Sequence, residues 1–395
     1  MVIRDAGNQD VIVVGGGVIG LAVAWRARQR GMSVTLLERE AVGGGATRVA
    51  AGMLAPVAEV EFGGPGRRLL ELGLRSGERW PAFAAELEAA TERSLGLAAT
   101  GTLMVARDDD EARELERQLA FRASLGLNAR RMRPSESREL EPALAPTVRL
   151  ALELPEDRAV DPRLVTSALR RACELAGVRV LEHVGPVALA VEGDSARGVQ
   201  LAAGERLLAQ DVVVASGAWS AAVQGLPPGT GVPVRPVKGQ TLRLRDPAGP
   251  GLLSRSVRFA EGYLVPRADG RYVLGGTVEE RGFDDAPTAG GAYDLLRDAF
   301  ELVPGASELE IEELCVGLRP GTPDNLPFLG PGALRGLVWA TGHYRNGILQ
   351  APLTAELVAE LLGGGRPDEP LLDACAPERF GEGSAHLEPT AVGLP

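Results

Sequence analysis

Asp10-Val-Ile-Val-Val14, running directly into Gly15-Gly16-Gly17-Val18-Ile19-Gly20, is the stretch that decides the fold. A continuous apolar, β-branched run with no polar alternation reads as a parallel strand buried on both faces. The glycines then open an apolar-periodic helix to about Arg30, which Gly31 stops, and Ser33-Val-Thr-Leu-Leu37 is a second strand ending at Glu38. A Gly-x-Gly-x-x-Gly alone carries little. Placed between a strand and a helix, with an acid closing the next strand, it is a dinucleotide-binding βαβ unit. Gly15 serves the tight turn, Gly17 lets backbone approach a pyrophosphate, and Gly20 permits close helix–strand packing, with the helix N-terminus facing the phosphates. Glu38 is expected to accept hydrogen bonds from the adenosine ribose, and its charge disfavours NADP. On the fingerprint alone, NAD and FAD both stay open.

Working outward, a Gly-rich stretch (Gly43–Thr47) and Ala50-Ala-Gly-Met-Leu-Ala-Pro56 follow. The spacing predicts a helix over 67–96 with Trp80, Phe83 and Leu87 on its core face, a strand at 101–106 and a charged helix over 109–125. Asp161-Pro162 is an N-cap followed by proline at N1, opening a helix that Gly177 closes. Val178–Leu181 and Asp211–Ala215 read as strands. From Val232 to Thr277 the pattern changes to alternating short strands (240–245, 262–266, 271–274), which is antiparallel architecture. Leu337–Thr341 belongs to a final strand, His343–Leu349 to a Gly-containing turn, and Pro352 opens the last helix. The fold class is thus α/β plus α+β: a discontinuous Rossmann-like domain (1–80, 145–225 and 320–380) with an inserted antiparallel-sheet domain (81–144 and 226–319). Residues 381–395 lack periodicity and are expected to be a mobile tail.

Composition excludes several classes. With 42 basic against 53 acidic residues, net −11, the 395-residue chain lacks the basic face that nucleic acid or an anionic membrane requires. No apolar stretch approaches the length of about 20 residues that a membrane span needs, and the N-terminus has no signal-peptide pattern. Cys173, Cys315 and Cys375 are too few and too scattered for a disulfide framework or a metal knuckle. The three histidines are unpaired at metal-ligand spacing, so no metal is expected. A reduced, cytoplasmic protein is the reading. One oddity stands out: a single lysine, Lys238, accompanies 41 arginines.

Val14–Gly20, Gly45-Ala-Thr47 with Ala50–Pro56, Val214-Ala-Ser-Gly-Ala-Trp-Ser220, Pro236-Val-Lys-Gly-Gln240, Gly262-Tyr-Leu-Val-Pro266, Gly317-Leu-Arg-Pro-Gly-Thr-Pro-Asp324 and Gly342-His-Tyr-Arg-Asn-Gly-Ile-Leu349 occur in this order. In them the chain resembles the FAD-dependent D-amino-acid oxidase superfamily over about residues 10–380, and within it the glycine oxidases of thiamine biosynthesis. The resemblance implies non-covalent FAD, with Val18 and Ile19 at the pyrophosphate and Glu38 and Arg39 at the ribose and adenine. Ala46, Thr47, Ala51, Gly52 and Met53 would line the cofactor, and Val187 would meet the adenine. His343, Tyr344, Arg345, Asn346, Gly347, Ile348 and Leu349 would wrap the flavin. It further implies that Arg319 grips the substrate carboxylate, with Tyr263 and Arg345 as further substrate contacts.

The implied reaction is oxidative deamination of glycine and small amino acids such as sarcosine or D-alanine, by hydride transfer to flavin N5 with O2 as final acceptor. Hydride transfer leaves an imine that a thiazole synthase could receive, and reoxidation by O2 gives H2O2; homo-oligomers are compatible with the pattern. Such chemistry needs positioning and electrostatics more than acid–base machinery, which suits a chain so poor in histidine. A D-amino-acid dehydrogenase using a quinone, a sarcosine-oxidase-like enzyme and a non-catalytic dinucleotide sensor are the alternatives. Within this reading Arg319 sits in a Gly-Leu-Arg-Pro turn and Cys315 is an inert buried thiol. Glu261 is expected near the pocket mouth and Val278 to enlarge the pocket. Lys238 is expected to make a point-charge contact for which a guanidinium is too wide.

Overall fold

The computed structural model describes residues 9–60, 64–367 and 369–380; the tail expected over 381–395 lies outside them. Among the described residues the strands form two eight-stranded sheets and one small two-stranded pairing. The opening strand, Gln9–Val14, is central in the first sheet, flanked in parallel by Val34–Leu37 and Arg206–Val214. Leu337–Thr341 and Arg179–Leu181 extend the parallel set on either side. Phe328–Pro331 closes one edge antiparallel, and Val187–Glu192 with Ser195–Leu201 forms a hairpin on the long Arg206–Val214 strand. Residues brought together from both ends of the chain therefore build one sheet.

The helices Val18–Gln29, Gly64–Thr91, Pro162–Ala176 and Gly347–Leu362 share one apolar core with this sheet, where Trp25, Trp80, Phe83 and Leu87 are buried. Asp161 caps the third of these by accepting from the Arg163 N–H, and Gly177 ends it at φ 83°, as the sequence predicts. The last helix differs from expectation. It begins at Gly347, not Pro352, and carries the proline inside it. Proline disrupts the local ladder, and the structure shows the compensation: the Leu349 carbonyl accepts from Ser76 Oγ (2.7 Å) and Trp80 Nε1 (2.9 Å). The buried hydroxyl and indole of one helix thus satisfy the irregular backbone of another.

The second sheet runs Glu310–Gly321, Arg235–Arg245, Arg271–Gly275, Gly262–Pro266, Ser256–Phe259, Thr102–Ala106, Leu150–Leu154, Arg130–Met132. All its neighbours are antiparallel except Ser256–Phe259 with Thr102–Ala106. Its apolar face is covered by Leu295, Ala299 and Leu302 of the helix Ala289–Leu302. Sheet membership shifts the expected boundaries. Leu150–Leu154 belongs here and not with the first sheet, residue 80 falls inside a helix, and residue 320 falls inside a strand. Arg235–Arg245, at 11 residues, is longer than the expected 240–245, and the 12-residue Glu310–Gly321 is a strand that the sequence pattern does not indicate.

Candidate functional site

The cradle at the carboxyl end of the first sheet follows from the glycines. Gly15 adopts φ +114°, and a Cβ there would lie 2.4 Å from the Ala215 carbonyl oxygen. A Cβ at Gly20 would lie 1.8 Å from the Gly15 oxygen, so only glycine lets helix and strand touch. Gly17 caps the helix Val18–Gln29 with no side-chain acceptor. Thr47 Oγ1 takes the Val18 N–H at 3.2 Å, and the other first-turn donors are those a helix leaves without intrahelical partners. An uncapped helix start opening on a cavity suits a pyrophosphate. The Glu38 carboxylate accepts from the Gly16 N–H (2.7 Å) and the Glu40 N–H (3.0 Å), with acceptor capacity left over. Arg39 lies over the Trp219 ring at 4.3 Å, on which Phe283 also packs.

A cavity of about 510 Å³ runs from this cradle to the second sheet. Its walls include Gly15, Gly17, Val18, Ile19, Glu38, Arg39, Ala46, Thr47, Ala51, Gly52, Met53, Val187 and 343–349, together with Arg319 and Tyr263. Of the residues expected to contact cofactor or substrate, only Gly20 is not on the wall, its role being the packing just described. A dinucleotide fits the residues present: open helix donors, an acidic partner for a ribose, and an apolar corridor leading to an arginine.

Arg319 is not in a turn. It lies near the end of the Glu310–Gly321 strand, paired in register with Val237. Its Nη1 donates to the carbonyl oxygens of Thr277 (2.9 Å) and Lys238 (3.3 Å), and it has no ion-pair partner among the described residues. Burial lowers its pKa, the tyrosines and Glu59 oppose that shift, and Arg345 adds to it. Space for the guanidinium comes from missing side chains. A Cβ at Gly239 would lie 2.2 Å from Nη1, one at Gly276 3.1 Å from both Nη2 and the Tyr263 hydroxyl, and one at Gly275 2.8 Å from that hydroxyl. Sequence reasoning passed over these three glycines. It also missed Glu59, which lines the same cavity, accepts from Arg258 Nη1 and lies 3.5 Å from Arg345 Nε. Burial pushes the Glu59 carboxyl up, but Arg258 and Arg345 outweigh it and the net shift is down.

His343 is buried, its Nε2 lies 3.0 Å from Thr354 Oγ1, and burial pushes its pKa down to about 3. It is neutral at ordinary pH and held by a structural bond. Cys315 is buried, does not line the cavity, and its thiol is pushed up by burial and by Glu313, as an inert role demands. Glu261 and Val278 are exposed and off the cavity wall, so the expectations that they shape the pocket are corrected. Lys238 is also off the wall. Fully buried, its Nζ donates to Asp284 Oδ2 (2.8 Å) and the Ala286 carbonyl (2.6 Å). It anchors the segment 277–288, whose Asp285 reaches the cavity.

A βαβ cradle joined to an antiparallel sheet that presents an arginine defines a dinucleotide-dependent oxidoreductase. The FAD dependent oxidoreductase family pattern matches residues 10–361, and the chain belongs to that family. It is 37% identical to the glycine oxidase of Geobacillus kaustophilus, covering 89% of this chain and 92% of that one. It is also 37% identical to the bifunctional protein ThiO/ThiG of Synechocystis sp., covering 94% of this chain but only 54% of that protein's length. The crystal structure of the Geobacillus kaustophilus glycine oxidase superposes with a TM-score of 0.86 at 35% identity, covering 95% of this chain and 99% of that one. No group of three potential metal ligands occurs among the described residues, and no described helix is long and apolar enough to cross a membrane.

Proposed function

We propose that this protein oxidises glycine and other small primary or secondary amino acids, sarcosine and D-alanine among them, with O2 as oxidant. Amine, O2 and water give a 2-oxo acid, ammonia or the corresponding amine, and H2O2. The observation that carries this reading is one cavity holding both a dinucleotide cradle and Arg319, whose Nη2 and Nε donors are uncommitted among the described residues. In this reading the first sheet and its helices form the cofactor domain and the second sheet the substrate domain. The cradle residues named above, from Gly15 to Thr47 with Ala51–Met53, Val187 and 343–349, would hold FAD. When bound there without a covalent tether, FAD supplies the hydride acceptor.

The chain's own residues do the rest. Arg319 binds the substrate carboxylate as a fork, which fixes two rotations of a small molecule at once. The Tyr263 hydroxyl, which borders the side-chain space left open at Gly276 as Nη2 does, adds a donor to the same carboxylate, and Arg345 lends positive charge. Burial of the arginine strengthens each of these contacts by removing competing water. His343 is neutral and bonded to Thr354, so it moves no proton; the substrate amine sheds its proton to solvent before reacting. The imine formed first is proposed to feed thiazole formation, a reading that the bifunctional relative supports.

Anaerobic glycine should bleach the visible flavin bands of the purified protein, and admitting oxygen should restore them with stoichiometric peroxide. Absence of bleaching with any small amino acid would overturn the proposal, and bleaching without rapid recovery would replace the oxidase with a dehydrogenase.

A further inference from the structure

We propose that Glu59 is the residue that selects amino acids over plain carboxylic acids, by receiving the substrate's ammonium or amine while Arg319 holds its carboxylate. The inference rests on the reading that Arg319 binds the carboxylate. A zwitterion needs an acceptor for its positive end as well as a donor for its negative one. The cavity has four carboxylates on its wall among the described residues: Glu38, Glu40, Glu59 and Asp285. Glu38 closes the second strand beside the glycine turn and Glu40 follows it, both at the cradle end. Asp285 is on the exposed segment 277–288. Glu59 is the one of the four that lies 3.5 Å from Arg345 Nε, and both share the cavity wall with Arg319 and Tyr263; its negative charge also acts on Arg319.

Glu59 is also built to stay where it is. The two residues before it are clamped by Arg122, a completely buried side chain whose Nε donates to the Val57 carbonyl (2.9 Å) and Nη2 to the Ala58 carbonyl (3.2 Å). Its own carboxylate takes a hydrogen bond from Arg258 and lies 3.5 Å from Arg345 Nε, with its side chain 18% exposed. A carboxylate offers about four lone-pair sites, so these contacts fix the group and leave acceptor capacity for a ligand. The charged groups around it are Arg258, Arg345, Arg319, Arg122 and the buried Asp157. In this cationic neighbourhood Glu59 remains an anion, and an anion beside Arg319 penalises a ligand that brings only a carboxylate.

The test compares glycine as substrate with acetate as competitive inhibitor on FAD-loaded enzyme. Glu59→Gln keeps the shape and removes the charge. It should raise the glycine KM at least tenfold while leaving the acetate Ki unchanged or lower. Glu59→Asp, which keeps the charge on a shorter stem, should restore part of the glycine affinity, and it carries the test if the amide variant fails to load FAD. Glycine KM and acetate Ki rising together would assign Glu59 a purely structural role through Arg345 and overturn the inference. So would an unchanged glycine KM. If wild-type enzyme is not turned over by glycine yet binds acetate, the failure belongs to the proposed function and not to Glu59.

Discussion

Replacing Arg319 by lysine separates charge from geometry. The guanidinium carries five N–H donors, and the structure commits Nη1 to the carbonyls of Thr277 and Lys238, leaving Nη2 and Nε for substrate. An ammonium has three donors. Two would be needed for the same carbonyls, so one remains where the guanidinium offered a fork. The variant therefore keeps the charge and loses about one charge-assisted hydrogen bond, roughly 1.5–3 kcal/mol. At about 1.4 kcal/mol per factor of ten, that is a loss of roughly 10- to 150-fold in kcat/KM. Arg319→Met removes the charge and both bonds, and should cost more than the lysine variant by at least another factor of roughly ten. Both variants should retain FAD, because the lost contacts are at the substrate end of the cavity. The assay is steady-state peroxide release with glycine, alongside the ratio of visible flavin to protein absorbance. Equal activity in the arginine and lysine enzymes would refute the fork, and parallel loss of flavin and activity would make Arg319 a structural residue.

Other consequences are as concrete. Lys238→Arg forces a wider head into a site already filled by Asp284 Oδ2 and the Ala286 carbonyl; overpacking of about 1–3 kcal/mol should lower Tm, and loosening of Thr277 should raise the glycine KM, whereas a wild-type Tm and KM would return this lysine to chance. Gly20→Ala should abolish folding or FAD loading, since its Cβ meets the Gly15 oxygen at 1.8 Å, while Gly17→Ala meets only Thr47 Oγ1 at 3.4 Å and should melt like wild type yet bind FAD more weakly, as flavin fluorescence release would show. His343 titrates near 3 when folded and near 6.5 when unfolded, so the unfolded chain binds the extra proton and stability falls as pH drops through that window, by up to ~1.4 kcal/mol per unit; urea midpoints at several pH values should show this slope flattened in His343→Gln. Arg122→Met withdraws the clamp on Val57 and Ala58 and should cost about 1–3 kcal/mol in urea unfolding for each buried carbonyl left unsatisfied and raise the glycine KM, an unchanged KM arguing that the Glu59 loop holds itself.

What was legible in the sequence was local. The first βαβ unit could be read because its strand, turn glycines, helix and closing acid are consecutive, and each residue's reason lies within a few neighbours. Asp161, Pro162 and Gly177 delimit their helix for the same reason. The last helix was misplaced by five residues because the partner that tolerates Pro352 is Ser76 and Trp80, more than 270 residues earlier. No window of sequence contains that compensation. Resemblance singles out Arg319 and places it in a turn; it lies instead in a strand, because its backbone is set by pairing with the Arg235–Arg245 strand across more than 70 residues.

The end of the cavity at the second sheet is built mostly from residues that look unremarkable alone. Gly239, Gly275 and Gly276 occupy strand or strand-edge positions, where glycine is ordinarily a weakness; here three missing side chains make the volume that Arg319 and Tyr263 fill. Glu59 is one of 53 acidic residues, and nothing in its neighbours' spacing sets it apart. What distinguishes it is convergence: Arg122 from a distant helix, Arg258 from the second sheet and Arg345 from the turn before the last helix meet at one loop. Lys238 makes the same point from the other side. Its rarity marked it in the composition, but its contacts put it behind the site, where it steadies the segment whose Thr277 carbonyl holds Arg319. Its own carbonyl accepts from Arg319 Nη1 as well, so a scarce residue off the cavity wall bears on that arginine both directly and through the Thr277 segment.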